Sequence, residues 1–292
     1  MAKRRRSPSP NPANLPGPDD IHRRELSNGI VVLARENRSS PSVVLAGSLR
    51  ANGLSEDGPR AGLADLAASG LMRGTERRSF QEIYESIEAI GASLGVSGGK
   101  VGTSLHGKSL AEDLRPLLEL LDEVLRRPTF PEGSIAQLRH EKLTGLTIRD
   151  DDTGARADLA FDEIAYPSHP YAIPGEGSRD SVSRLTAQDL VAFHRSHYGP
   201  RGMILCIVGA VDPEAAVDLV RETLGSWQAG NSALECAVRV VREACLLPHR
   251  LPDPTHQPEP AQDMVPHRRR EIVGVESAGP GGPHNEVRLH LS

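Results

Sequence analysis

The chain predicts a fold of mixed helices and strands, and three observations carry that expectation. Asn28-Gly29 stands between Arg24-Glu25-Leu26 and the apolar run Ile30-Val31-Val32-Leu33-Ala34, which is the signal of a β-hairpin. The run Ser42-Val43-Val44-Leu45-Ala46-Gly47-Ser48-Leu49 reads as a strand, and its near-continuous apolar character suggests burial on both faces. Residues 110–127 repeat Leu114, Leu117, Leu118, Leu121, Val124 and Leu125 at three- and four-residue steps, the pattern of an amphipathic helix.

The remaining elements follow in order. Residues 62–74 read as a buried helix, with Leu63, Leu66, Ser69/Gly70 and Met72/Arg73 at helical spacing and Gly74 placed to stop it. A second helix starts at Ser79, with Glu82 three residues on as a capping box and Phe80, Ile83, Ile87 and Ile90 as its apolar face. Glu85 and Glu88 on that helix read as solvated charges. Ser93–Ser97 and residues 101–107 read as strands joined around Gly98-Gly99. Pro128-Thr129-Phe130-Pro131 breaks the long amphipathic helix, and two more helices follow at 132–149 and 153–165. The second of these offers Leu159, Phe161 and Ile164 to the core. Thr186 caps a helix reaching Tyr198, residues 202–209 form a buried strand, and Asp212-Pro213 opens a last helix with proline in its first turn.

The stretch Gly62-Leu63-Ala64-Asp65-Leu66-Ala67-Ala68-Ser69-Gly70-Leu71-Met72-Arg73-Gly74-Thr75 resembles the zinc-binding helix of the insulinase/pitrilysin metallopeptidases. The Leu26-Ser27-Asn28-Gly29 turn and Tyr166-Pro167-Ser168-His169-Pro170-Tyr171 are also similar to family motifs. Together these cover about residues 22–228, one family domain. The resemblance implies an α+β fold, a mostly antiparallel sheet with helices packed on one face. It also implies that the chemistry has been replaced. The family carries His-x-x-Glu-His on this helix, and Asp65, Ala68 and Ser69 stand at the two histidines and the glutamate between them. The third ligand, a glutamate before an element like Arg149-Asp150-Asp151-Asp152-Thr153, falls on Gly145, with Glu141 one turn away.

A catalytic zinc needs about three protein ligands and an open water position. Asp65 offers one oxygen, the Ser69 hydroxyl stays protonated at neutral pH, and Ala68 and Gly145 offer nothing. No zinc or other cofactor is therefore expected, although active relatives use zinc. In those relatives the strand matching Ser93, Leu94, Gly95, Val96 and Ser97 is an exposed edge on which peptide adds as a further strand, a mode that needs no metal. Here the segment serves either as that peptide groove or as a structural hairpin. The resemblance implies a non-catalytic subunit that binds peptide or pairs with an active zinc-bearing relative. Two alternatives stand beside it: a divergent zinc-dependent endopeptidase using Asp65 and another ligand, and a truncated fragment without independent function.

Composition narrows the rest. A net charge of −5 leaves no electrostatic footprint for nucleic acid, and no apolar run is long enough to span a membrane. Three cysteines, Cys206, Cys236 and Cys245, make no disulfide framework and fit a reducing compartment. The basic start Met1-Ala2-Lys3-Arg4-Arg5-Arg6 has no apolar segment after it, so a cytoplasmic location is expected. Residues 1–20 read as a disordered basic tail and residues 21–228 as the peptidase-like domain. Residues 229–292 read as a proline-rich linker or the start of a second similar domain, with a short helix at 237–247. His194 and His197, three apart on a helix, could contribute to a metal site only with a third ligand, and read instead as structural.

Overall fold

The computed structural model describes residues 17–228, apart from Asp57 and Ser168. The basic start expected at residues 1–16, the segment 229–292 and the helix expected at 237–247 lie outside the described residues.

Strands β1 (His22–Glu25) and β2 (Val31–Glu36) form the expected hairpin. Its turn closes with the Gly29 N–H donating to the Leu26 carbonyl, and Gly29 takes φ 91°, a conformation that glycine reaches without strain. Strand β3 (Ser42–Leu49) leads through a loop into helix α1 (Leu63–Gly70), which tightens into a 3-10 turn at Leu71–Arg73. Helix α2 (Phe80–Ala89) begins at the Ser79–Glu82 capping box. Strands β4 (Ser93–Ser97) and β5 (Thr103–Leu110) precede helix α3 (Leu114–Arg126). Then come α4 (Glu132–Asp151), α5 (Thr153–Ala165), α6 (Arg179–Arg184), α7 (Ala187–His197), strand β6 (Ile204–Gly209) and α8 (Pro213–Leu224).

The six strands lie in one sheet in the order β1-β2-β6-β3-β5-β4. Four of the five pairings are antiparallel, and β2 with β6 is parallel. Strand alternation sends Val32, Ala34, Val43, Leu45, Leu105, Leu205 and Ile207 to the inner face, where all are buried. The helices pack there. Leu117, Leu118, Leu121, Val124 and Leu125 of α3 are buried with them, each such side chain worth roughly 1.5–3 kcal/mol of burial. The fold is therefore α+β with a mostly antiparallel sheet. Among the described residues no helix is long and apolar enough to cross a membrane.

Several expectations need correction. Strand β5 runs on to Leu110, so the amphipathic helix starts at Leu114 and not at 110; pairing with β3 holds Ser109 and Leu110 in the sheet. Strand β3 is buried on one face only, with Val44 47% exposed. Phe80 lies outside the core, under the Arg73 guanidinium at 4.9 Å. Helix α5 contributes no buried residue: Phe161 and Ile164 are 66% and 80% exposed, because α5 packs at the margin of the layer beside α4.

Candidate functional site

The site is built around α1, and the backbone that delivers this helix is tightly specified. Gly62, just before the first turn, has φ 91°, and a Cβ there would lie 2.7 Å from the Glu176 carbonyl oxygen. Gly177, at φ 79°, would place a Cβ 2.3 Å from the Ala61 carbonyl oxygen. Two chain segments thus cross with no room for side chains at the crossing. The buried Glu56 carboxylate accepts the Gly62 N–H at 3.0 Å and the Ala64 N–H, satisfying donors that a helix start leaves open. At the far end the Gly70 Cα faces the Phe130 ring, and Gly74 turns the chain away at φ 152°.

Within this setting the four positions expected to be degenerate carry almost no donor chemistry. Ala68 is fully buried in the core. Ser69 is half-buried, and Gly145 is exposed on α4 with open space where a side chain would begin. Asp65 is the one ionisable group among them. Its carboxylate accepts a hydrogen bond from Lys142 Nζ of α4 at 2.6 Å, an ion pair in which the Asp65 side chain is 13% exposed. Burial outweighs the pull of the ammonium and holds the Asp65 carboxyl above the ordinary carboxylate value; Lys142 works against that rise. Beyond Asp65, the buried Tyr198 hydroxyl hydrogen-bonds Thr103 Oγ1 at 3.2 Å, and Thr103 donates to the Ala51 carbonyl at 2.9 Å. Burial pushes the Tyr198 hydroxyl well up, and the Asp65 charge adds to it. Glu141 is turned to Arg73, which donates to it at 2.6 Å.

The sheet edge adjoins this helix. Strand β4 is the last in the order and pairs with β5 alone. Leu94 points into the core, Gly95 and Val96 are half-buried, and Ser93 and Ser97 are exposed. Gly98, just after the strand, would drive a Cβ to 2.6 Å from both the Ala64 carbonyl oxygen and Asp65 Cα. The edge therefore ends directly against the Asp65 turn of α1. On the other face of the strand the His106 ring lies across Gly95, close enough that any Cβ there would collide with it.

Comparison with known proteins places these features. The signature described as Insulinase (Peptidase family M16) matches residues 31–147, and that described as Peptidase M16 inactive domain matches residues 184–279. The chain belongs to the insulinase family of peptidases. It is 30% identical over 166 residues to an uncharacterized zinc protease of Mycobacterium leprae, covering 57% of this chain and 37% of that one. It is 25% identical to subunit 1 of the mitochondrial cytochrome b-c1 complex of Homo sapiens, covering 72% of this chain and 44% of that one. Among solved structures, the peptidase M16 inactive domain from Pseudomonas fluorescens superposes with a TM-score of 0.67 at 27% identity, covering 73% of this chain and 52% of that one. The chain spans less than half the length of these two curated relatives.

The residues present do not fit the zinc of the insulinase peptidases. Of the four positions, one holds a carboxylate, already paired with an ammonium, and the others hold an alanine, a serine hydroxyl and a glycine. Among the described residues no three His, Cys, Asp or Glu side chains gather closely enough to hold a metal ion. His194 and His197 do not converge either. His194 Nε2 bonds the Leu125 carbonyl at 2.8 Å and its ring stacks on Tyr198, whereas the His197 ring stacks on Phe193 at 4.1 Å. Burial lowers the pKa of both.

Sequence reasoning missed Glu56, Lys142, Gly98 and Tyr198. Glu56 stands six residues ahead of Gly62, too far for a local capping pattern. Lys142 reaches Asp65 across 77 positions of chain, and nothing local announces it.

Proposed function

We propose that this chain is a non-catalytic insulinase-family domain that acts by binding: it takes an extended peptide along β4 or pairs with a zinc-bearing relative. The observation that carries the reading is the Asp65–Lys142 ion pair. A protein cation holds the only carboxylate among the four positions, so neither a metal nor a metal-bound water is supplied with ligands, and Ala68 cannot act as a base. The β4 edge supports the binding role, because strand addition uses backbone groups that the lost ligands do not touch. Pairing is supported by a relative that is named as a subunit of a larger complex.

The test is purification of the tagged chain from its own host followed by native mass spectrometry. A metal-free chain, bound to a zinc-bearing relative or to peptide, is the expected result. Chelator-sensitive peptidase activity that disappears in Asp65→Ala would overturn the reading. For the peptide mode, Val96→Pro removes a backbone donor from the edge strand and should abolish peptide binding. Unchanged peptide affinity would remove β4 from the account.

A further inference from the structure

The outward face of helix α5 carries a second surface, one that goes beyond the proposed function and involves neither the β4 edge nor Asp65. Asp152 caps the helix by accepting the Ala155 N–H at 2.6 Å. Ala155, Leu159 and Asp162 are half-buried along one side, where Asp162 accepts a hydrogen bond from Lys100 Nζ at 3.2 Å. At about 100° per residue these three fall in one narrow arc, and Ala157, Ala160, Phe161 and Ile164 fall opposite it. All four of the latter are exposed. A surface helix ordinarily turns its apolar stripe inward and its charges outward. In α5 the charges stand on the flanks of an outward apolar stripe. Arg156 and Glu163 share one flank, and Asp158 is on the other. Among the described residues neither the Arg156 nor the Glu163 side chain makes an ion pair or a hydrogen bond.

The order of these residues along the helix indicates what fits the stripe. The small residues Ala157 and Ala160 precede the large ones Phe161 and Ile164, and Arg156 precedes Glu163. A second α5 laid antiparallel about a two-fold axis near Ala160 sets Ile164 of each copy beside Ala157 of the other, and Phe161 beside Ala160. Large side chains then meet small ones. The same register brings Arg156 of each copy opposite Glu163 of the other, which makes two ion pairs related by the axis. A parallel pairing would instead set Phe161 on Phe161 and Arg156 on Arg156. A patch that complements itself in shape and in charge is what an isologous two-fold contact requires. Asp158 of each copy lies about 6 Å along the axis from its counterpart, on the solvent side, where salt screens the repulsion.

We infer that α5 is a homodimer surface: two copies of this chain pair their α5 helices antiparallel through Ala157, Ala160, Phe161 and Ile164, with reciprocal Arg156–Glu163 ion pairs. The occupant is a second copy because both the size order and the charge order of the stripe are satisfied by the stripe itself. One helix per copy is a small contact, so the dimer is a weak and transient one.

The test is the oligomeric state of the full chain, expressed alone and followed by sedimentation equilibrium up to about 300 μM. The expected result is a concentration-dependent monomer–dimer equilibrium that Ile164→Asp abolishes. Arg156→Glu and Glu163→Arg each set like charges face to face and should weaken the dimer about tenfold or more. Mixing those two variants should restore a dimer holding one chain of each, and the double variant Arg156→Glu/Glu163→Arg should dimerise like the parent. All three positions are exposed, so circular dichroism and urea unfolding of the variants should match the parent. A chain that is monomeric at every concentration would overturn the inference, in favour of another occupant for the stripe. A dimer that Ile164→Asp leaves intact would overturn it by placing the contact elsewhere. Charge variants that stay weakened when mixed would overturn the antiparallel pairing.

Discussion

The start of α1 and the four positions of the zinc pattern differ in how much they demand. At the start of α1, Gly62, Gly177 and Glu56 meet within a crossing that admits no other backbone. Further along, Asp65 makes one ion pair, with Lys142 of α4, and Gly145 on α4 has open space around it. The first region is dictated by sterics and by the unsatisfied donors of a helix start. The second is not constrained in that way: Gly145 has open space around it, and Asp65 meets a single cation. The geometry that presents a catalytic helix is therefore separable from the catalytic groups it presents.

Four measurements break or sharpen that contrast. The largest effect is expected from Gly62→Ala. A left-handed residue and a collision with the Glu176 carbonyl together cost roughly 2–5 kcal/mol in urea unfolding. A loss under about 1 kcal/mol would mean the crossing relaxes easily.

Next comes Lys142→Met, which leaves the Asp65 carboxyl buried without its cation. Partial exposure of the pair reduces the cost of a fully buried one to roughly 1–3 kcal/mol, and adding Asp65→Asn should recover most of it. Additive losses in the double variant would show that the two groups act separately.

Gly145→Ala should move the other way. Nothing surrounds that position in α4, so removing a mid-helix glycine stabilises by roughly 0.5–1 kcal/mol. Destabilisation there would reveal a packing or binding demand that the site side is not expected to have.

The smallest effect is a pH slope. Asp65 holds its proton to higher pH in the native state than in the unfolded chain, so its contribution is full below the ordinary value of 3.8. It is lost as pH rises from there through the raised native value. Asp65→Asn should lack that loss, and its stability relative to the parent should improve between about pH 4 and neutrality. A parent-to-variant difference that does not change with pH would contradict the raised carboxyl.

Much of the architecture was legible because local signals and tertiary outcome agree. Asn28-Gly29 made its hairpin, Ser79 made its capping box, Thr186 capped α7, and Pro213 opened α8. The sequence could not show which apolar residues meet the core. Phe161 and Ile164 have helical spacing, yet α5 lies where nothing in the described domain covers them. Val44 belongs to a run that reads as doubly buried, and its outer neighbours show why the run is so apolar only when the register is known. The four site positions were legible by resemblance to a family pattern. Their consequence was not, because the partner of Asp65 comes from a helix distant in the chain.

The measurement that tests the central claim most directly is metal content. The full chain is purified with excess zinc, passed through a desalting column and weighed by native mass spectrometry alongside Asp65→Ala. The account predicts less than about a tenth of a zinc per chain in both, since Asp65 is held by Lys142 and, among the described residues, no set of companion ligands gathers. One zinc per parent chain, lost in Asp65→Ala, would contradict it and return the helix to service as a metal site.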